Sequence, residues 1–289
     1  MIAWYYFVLA SSVLMGISTI LEKKTLKNEH AAAYSAAFTV IILPLSLLFL
    51  PLAKFNITLF ELAVIYIISL LSTITYVLTA KVFRHGNISV ASPLFSSLPV
   101  MFTVVFAFLF LSEHLQLAQY VSIAVLIVAS YFMVFNTGSN VEAGYGKGKY
   151  ATILLLDTII MAVGAILMKY LFLLQVNVFA YLIIGEYFMA LNLFVFMSFK
   201  YGGAREIAEN IKKYKIPILT IAVLTILYRV TNYIAVYSAE ISLTSPLRNS
   251  VNVLITVMVG GLIFGEKKLK VKLLLSVVII AAAYALIVL

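Results

Sequence analysis

Ten stretches of about twenty mainly apolar residues, joined by short loops, limit what this chain can fold into. About 20 such residues carry a helix across the hydrocarbon of a bilayer. The segments that qualify are 2–21, 31–52, 59–83, 88–112, 116–135, 150–171, 177–199, 216–238, 243–265 and 270–288. Lipid offers no water to backbone N–H and C=O groups, so a spanning segment must be a helix or part of a closed barrel. The two-residue alternation of a barrel strand is absent. The expected fold is therefore an all-α membrane protein with ten transmembrane helices. Composition agrees: 64% of residues are hydrophobic, 11% are charged, and mean hydropathy is +1.12. A soluble domain runs at about 45–50% and about 25%.

The loops report topology. Of the 20 lysines and arginines, all but Lys54, Lys169, Arg229 and Arg248 fall in or beside the loops after the first, third, fifth, seventh and ninth spans. The positive-inside rule makes those loops cytoplasmic and places both termini on the outer side of the cell membrane. The net charge of +9 thus reflects loop placement and gives no reason to expect a nucleic-acid partner. The N-terminal run has no basic leader and ends in Glu22-Lys23-Lys24, so it reads as the first membrane helix rather than a cleaved signal. Cysteine is absent, which removes disulfides and thiol chemistry. The stretch 136–149, NTGSNVEAGYGKGK, has linker composition. It divides the chain into a first five-helix half (1–138), a linker (139–149) and a second half (150–289). In 200–215, Ile207, Ile211 and Tyr214 share a face, which predicts a short interfacial helix.

The two halves are related. Residues 87–113 align without a gap over 240–266, with identities that include Ser92-Pro93-Leu94 over Ser245-Pro246-Leu247 and Glu113 over Glu266. The matching segments are the fourth and ninth spans. An offset of five spans turns the second copy upside down, giving an inverted repeat.

These features resemble the drug/metabolite transporter superfamily, in particular its ten-helix EamA-like members. The carrying pieces are the Ser-Pro starts of spans four and nine, Leu98-Pro99-Val100, and Glu113 and Gly265-Glu266 at the span ends. The resemblance implies a carrier with no enzymatic step and no cofactor, and export rather than import. In one respect the chain departs from the family. Many members are basic after the fourth span, whereas Ser112-Glu113-His114-Leu115-Gln116 holds neither Lys nor Arg.

Ionisable residues inside spans are costly and mark candidate function. Four stand out, all in the second half: Asp157, Glu186, Arg229 and Arg248. In span eight, Tyr228, Arg229 and Asn232 lie on one face with Thr225. In span nine, Ser245, Arg248, Asn249, Asn252 and Thr256 do the same. Their first-half counterparts include Tyr76, Thr79 and Ser96. The expectation is a central cavity lined by spans three, four, eight and nine, with Arg229 or Arg248 holding a carboxylate or phosphate through paired N–H bonds. Asp157 and Glu186 are candidates for carrying a proton or charge. The competing reading is that Arg229 pairs with Glu186 or Asp157 to hold the fold. Glu22, Lys23, Lys81 and Lys169 are expected to reach toward the interface, and Glu113 and Glu266 to cap helix ends. Gly16, Gly164, Gly260 and Gly261 are expected to permit close helix contact.

The predicted function is alternating-access transport of a small polar metabolite, an amino acid or organic anion, by a chain with lipid and solute as its partners and no need of a second copy. The alternatives are a lipophilic-drug or cation exporter and a membrane-embedded lipid-modifying enzyme. No phosphate-binding GxxxxGK[ST] loop appears, and the three histidines are all in loops.

Overall fold

A computed structural model describes residues 3–26, 31–85, 88–135, 149–264 and 269–288. The helices are α1 (Trp4–Leu26), α2 (Ala31–Ser46), α3 (Leu59–His85), α4 (Ile88–Leu111), α5 (Leu117–Phe135), α6 (Lys149–Leu173), α7 (Val178–Lys200), α8 (Ala204–Ser238), α9 (Ile241–Phe264) and α10 (Leu269–Val288). Among the described residues there is no strand. Six stretches, in α1, α2, α3, α6, α7 and α8, are long and apolar enough to cross a bilayer, and shorter apolar stretches lie in α4, α5 and α10. The protein is a multi-pass membrane protein. The linker lies outside the described residues except for Lys149.

Two prolines reshape the expected spans. Pro44 lies inside α2, and two residues beyond it the α-helix gives way to a 3₁₀ helix over Leu47–Leu52. Pro lacks the N–H that would close the α-helical bond, so the α-helix ends here and the chain continues in the tighter 3₁₀ form. The interfacial helix and the eighth span are one 35-residue helix bent at Tyr214 (φ −120°, ψ 28°). Pro217 explains the bend, because its ring presses on the preceding turn. Ile207 is buried, and Ile211 and Tyr214 pack against the same core, so the shared face found in the sequence points inward.

The bundle buries many polar residues among apolar ones and is apolar without. Phe199, Leu59 and Ile216 are 89%, 83% and 76% exposed, while Ser11, Ser18, Thr39, Ser69, Asp157, Thr225 and Asn232 are buried. A water-soluble protein shows the reverse tendency; lipid accepts the apolar exterior. Short polar links join the helices. Ser11 donates to the Tyr228 carbonyl at 2.9 Å, and the hydroxyls of Ser18 and Thr225 lie 3.1 Å apart, tying α1 to α8. Gly16 is a true close approach, since a Cβ there would stand 2.7 Å from Ile255 Cγ2 on α9. Gly164 is not: nothing lies within 4 Å of the same position. Gly260 and Gly261 have side-chain positions outside the described set.

Helix neighbours follow a pattern. α1 packs on α8 and α9, while α6 packs on α3 and α4; α2 packs on α8, while α7 packs on α3. α4 meets α9 and α5 meets α10. Advancing each helix number by five, cyclically, maps these pairings onto one another.

One end of the bundle is fastened by charge. The Glu113 carboxylate, in the turn after α4, accepts from the N–H groups of Ile241 and Ser242 at 3.0 and 2.9 Å and from the Ser242 hydroxyl at 2.5 Å. It therefore caps α9 of the other half rather than its own helix. Lys169 does not reach for the interface as expected. It is 6% exposed and donates to the carbonyls of Val236 and Ala239 at 2.8 and 2.7 Å. Those acceptors belong to the C-terminal end of α8, where unpaired carbonyls favour a cation. The side chains of Lys23 and Lys81, and Glu266 altogether, lie outside the described residues.

Candidate functional site

Arg229 stands on α8 facing α7 and α3. Its Nη1 pairs with Glu186 Oε1 on α7, and its Nη2 donates to the Tyr76 hydroxyl on α3 at 3.1 Å. The guanidinium also lies 5.5 Å from the centre of the Tyr76 ring, a cation–π contact that is stronger away from water. Phe38 on α2 stacks on the Tyr76 ring, with ring centres 5.6 Å apart. Glu186 Oε2 is buried without a hydrogen-bond partner among the described residues.

These three residues wall a cavity of about 120 Å³. Ser69, Ser72, Thr75 and Tyr76 contribute from α3; Tyr181, Gly185 and Glu186 from α7; Arg229 and Tyr233 from α8. The wall differs from expectation. Among the described residues α7 takes the place given to α4 and α9, and Ser69 Oγ on α3 donates to the Gly185 carbonyl on α7 at 3.2 Å.

The remaining candidates fall into two groups outside that wall. Asp157 on α6 is fully buried; Thr79 donates to its Oδ2 at 2.9 Å, and its Oδ1 has no partner among the described residues. Among the described residues it pairs with no arginine, so the four charges do not form one cluster. Thr79 lies one turn beyond Tyr76 on the cavity-lining helix. Arg248 on α9 donates from Nε to Asn249 Oδ1 at 3.3 Å. The tyrosines within its electrostatic reach are Tyr228 and Tyr233, and no carboxylate pairs with it among the described residues. Tyr228 stands within reach of both arginines. Asn252 faces α1, its Oδ1 3.4 Å from where a Gly16 Cβ would be. Asn232 is buried on α8 but is not part of the cavity wall. The Ser96 side chain lies outside the described set.

Sequence reasoning missed several residues. Ser69 and Ser72 precede the expected Tyr76 at helical spacing on α3, so the polar stripe begins earlier than its Tyr76–Thr79 part. Tyr181 and Tyr233 gave no signal, since most aromatic residues in spans face lipid. Glu22, expected at the interface, lies within electrostatic reach of Arg229, Tyr34 and Tyr76 and so belongs to the inner side of the bundle.

Comparison with known proteins fits this architecture. A solved crystal structure, described simply as that of a protein, superimposes with a TM-score of 0.69 at 11% identity, covering 96% of this chain and 94% of the other. At that identity the likeness is one of fold alone. No curated protein matches the chain in sequence. Residues 2–135 match the model of the EamA-like transporter family. That likeness, over a little under half of the chain, is to a family of membrane transporters and is consistent with the drug/metabolite transporter superfamily.

Proposed function

We propose that this transporter carries a small zwitterionic metabolite, an amino acid above all, and exports it by alternating access. The carrying observation is the Arg229–Glu186 pair at the cavity wall, with Glu186 Oε2 left without a partner among the described residues. A carboxylate with an unused buried acceptor is costly, and an incoming ammonium group relieves that cost. The arginine beside it offers N–H groups to a carboxylate. The two charges together match a solute with both signs on one carbon. The hydroxyls of Ser69, Ser72 and Thr75 and the rings of Tyr76, Tyr181 and Tyr233 fill out a small, mixed surface suited to orienting it.

The arrangement of halves supports the cycle. Tyr76 and Arg229, which touch, are 153 residues apart in sequence. That is the offset at which residues 87–113 align with 240–266, so the two are equivalent positions of the repeat. Equivalent residues meet only near the axis that relates them. The candidate site therefore sits where an inverted repeat brings its halves together, the place where rocking of one bundle against the other exposes a solute to either side. Asp157, buried with no cation beside it among the described residues, is the group we assign to take up a proton during the cycle.

Arg248, without a carboxylate partner among the described residues, favours a second reading in which the solute is an organic anion. A bulky lipophilic cation suits the Glu186 oxygen but not the volume of about 120 Å³. Counterflow separates these readings. Proteoliposomes loaded with unlabelled amino acid should accumulate the labelled form. Glu186→Gln combined with Arg229→Gln, which strands no charge, should fold and fail to accumulate it. Undiminished counterflow by that double variant would remove the pair from the solute site.

A further inference from the structure

A second cavity, of about 430 Å³, lies between the 3₁₀ end of α2, the turn joining α6 to α7, and the C-terminal end of α8. Lys54, Asn56, Gln175, Asn177, Phe179 and Tyr237 contribute to its wall. Among the described residues no carboxylate does. Asn177 Oδ1 accepts from the N–H groups of Phe179 and Ala180, so the polar group Asn177 can still offer is its amide N–H. The surface thus presents an ammonium and amide donors, and its volume is within the range of small-molecule sites, about 300–1,000 Å³.

Its position relative to the Arg229–Glu186 cavity follows from helix register. Tyr237 of the outer cavity is one turn beyond Tyr233 of the inner one on α8, and Asn177 and Val178 are one turn before Tyr181 and Leu182 on α7. Aromatic rings occupy the turn between. Tyr181 and Tyr233 stand with centres 5.2 Å apart, and Phe172 of α6 lies 5.3 Å from Tyr181, 6.2 Å from Tyr233 and 5.9 Å from Tyr237. The Tyr237 hydroxyl donates to Gln175 Oε1 at 2.8 Å, which braces the outermost ring against the α6–α7 turn.

We infer that the larger cavity is an outer binding site for the carboxylate end of the transported solute, and that Phe172, Tyr181 and Tyr233 form the closed gate between it and the inner site. This rests on the reading of the inner cavity as the solute site. The gate lies at the same end of the bundle as the Glu113 cap on α9 and the Lys169 hook on α8, so the conformation described is shut at the face bearing the loops after α2, α4, α6 and α8. A solute arriving there meets Lys54 first, and passage requires the two tyrosine rings to part.

The native chain has no cysteine, so single cysteines report accessibility without background, whatever the solute. Asn56→Cys marks the outer cavity and Ser72→Cys the inner one. The probes are a sulfonate-bearing and a trimethylammonium-bearing methanethiosulfonate, both membrane-impermeant, applied from the face of the outer cavity. Asn56→Cys should react quickly and favour the anionic reagent, relative to a free thiol, by about two- to fivefold, as one nearby charge allows. Lys54→Gln should abolish that preference. Ser72→Cys should react at least about tenfold more slowly, as behind a closed gate, and adding Tyr181→Leu and Tyr233→Leu, which keep apolar bulk for folding, should restore fast labelling. Equal rates at Ser72→Cys and Asn56→Cys with the tyrosines intact would overturn the gate. A preference unmoved by Lys54→Gln would overturn the anionic outer site. Either result can be read without transport data, so it stays distinct from a failure of the counterflow experiment.

Discussion

Taking away one charge of the Arg229–Glu186 pair strands the other in a buried setting, which costs about 3–5 kcal/mol. Glu186→Gln should therefore unfold at a markedly lower temperature than the native protein in detergent, and adding Arg229→Gln should recover most of the loss. Equal melting of the single and double variants would mean that the pair is not held as a unit. Gly16 and Gly164 make a contrasting case. Gly16→Ala drives a methyl against Ile255 Cγ2 and should cost about 1–3 kcal/mol. Gly164→Ala meets open space in mid-helix and should add about 0.5–1 kcal/mol; thermal unfolding of the two variants checks both signs. The arginines and acids were legible in the sequence because a charge within an apolar run has few places to go. Lys169 was misread, since a lysine near a span end looks the same whether it reaches for water or hooks the carbonyls of a neighbouring helix. Tyr181 and Tyr233 were invisible because only packing separates a lipid-facing ring from a cavity-facing one.

The cap from the α4–α5 turn onto α9 is the clearest inter-element tie. Glu113→Gln keeps the size of the side chain and one acceptor but loses the charge-assisted bonds to Ile241, Ser242 N–H and the Ser242 hydroxyl. A loss of about 1–3 kcal/mol is expected, read as a lower melting temperature, with Glu113→Ala lower still. Close by, in the turn between α8 and α9, partial burial and the Glu113 carboxylate push the Glu240 carboxyl above its usual value, and Lys169 pulls it back. The folded protein thus holds that proton to higher pH than the unfolded chain does, so the contribution of Glu240 to stability falls as pH rises through the interval between the two values. Glu240→Gln should melt higher than the native protein at neutral pH, with the gap closing under acid conditions; a constant gap at every pH would contradict the assigned cause. Helix number and order were readable because apolar length alone sets them. The join of the interfacial helix to α8 was not, since Pro217 is compatible with either a break or a bend, and the choice depends on Ile207, Ile211 and Tyr214 finding a core to pack on.

The two halves pair their helices as a repeat advanced by five would, and the Tyr76–Arg229 contact falls between equivalent positions. The likeness of spans four and nine was visible in the sequence, but the location of the cavity was not. The stripe on α9 is polar, yet Asn252 faces Gly16 of α1 rather than the cavity, while α7 showed a single acid and turned out to supply one wall. Orientation rests on loop charge: tags at either end of the chain should be reached by impermeant reagents from outside the cell, and labelling only after permeabilisation would reverse the topology. The site itself is tested most directly by thermal stabilisation of purified protein with three solutes of one carbon skeleton: leucine, the carboxylate that lacks its amine, and the amine that lacks its carboxylate, with smaller amino acids as size controls. A site built around paired opposite charges should be stabilised by the zwitterions and by neither single-charge analogue. Equal stabilisation by the bare carboxylate, with the amine inert, would contradict it.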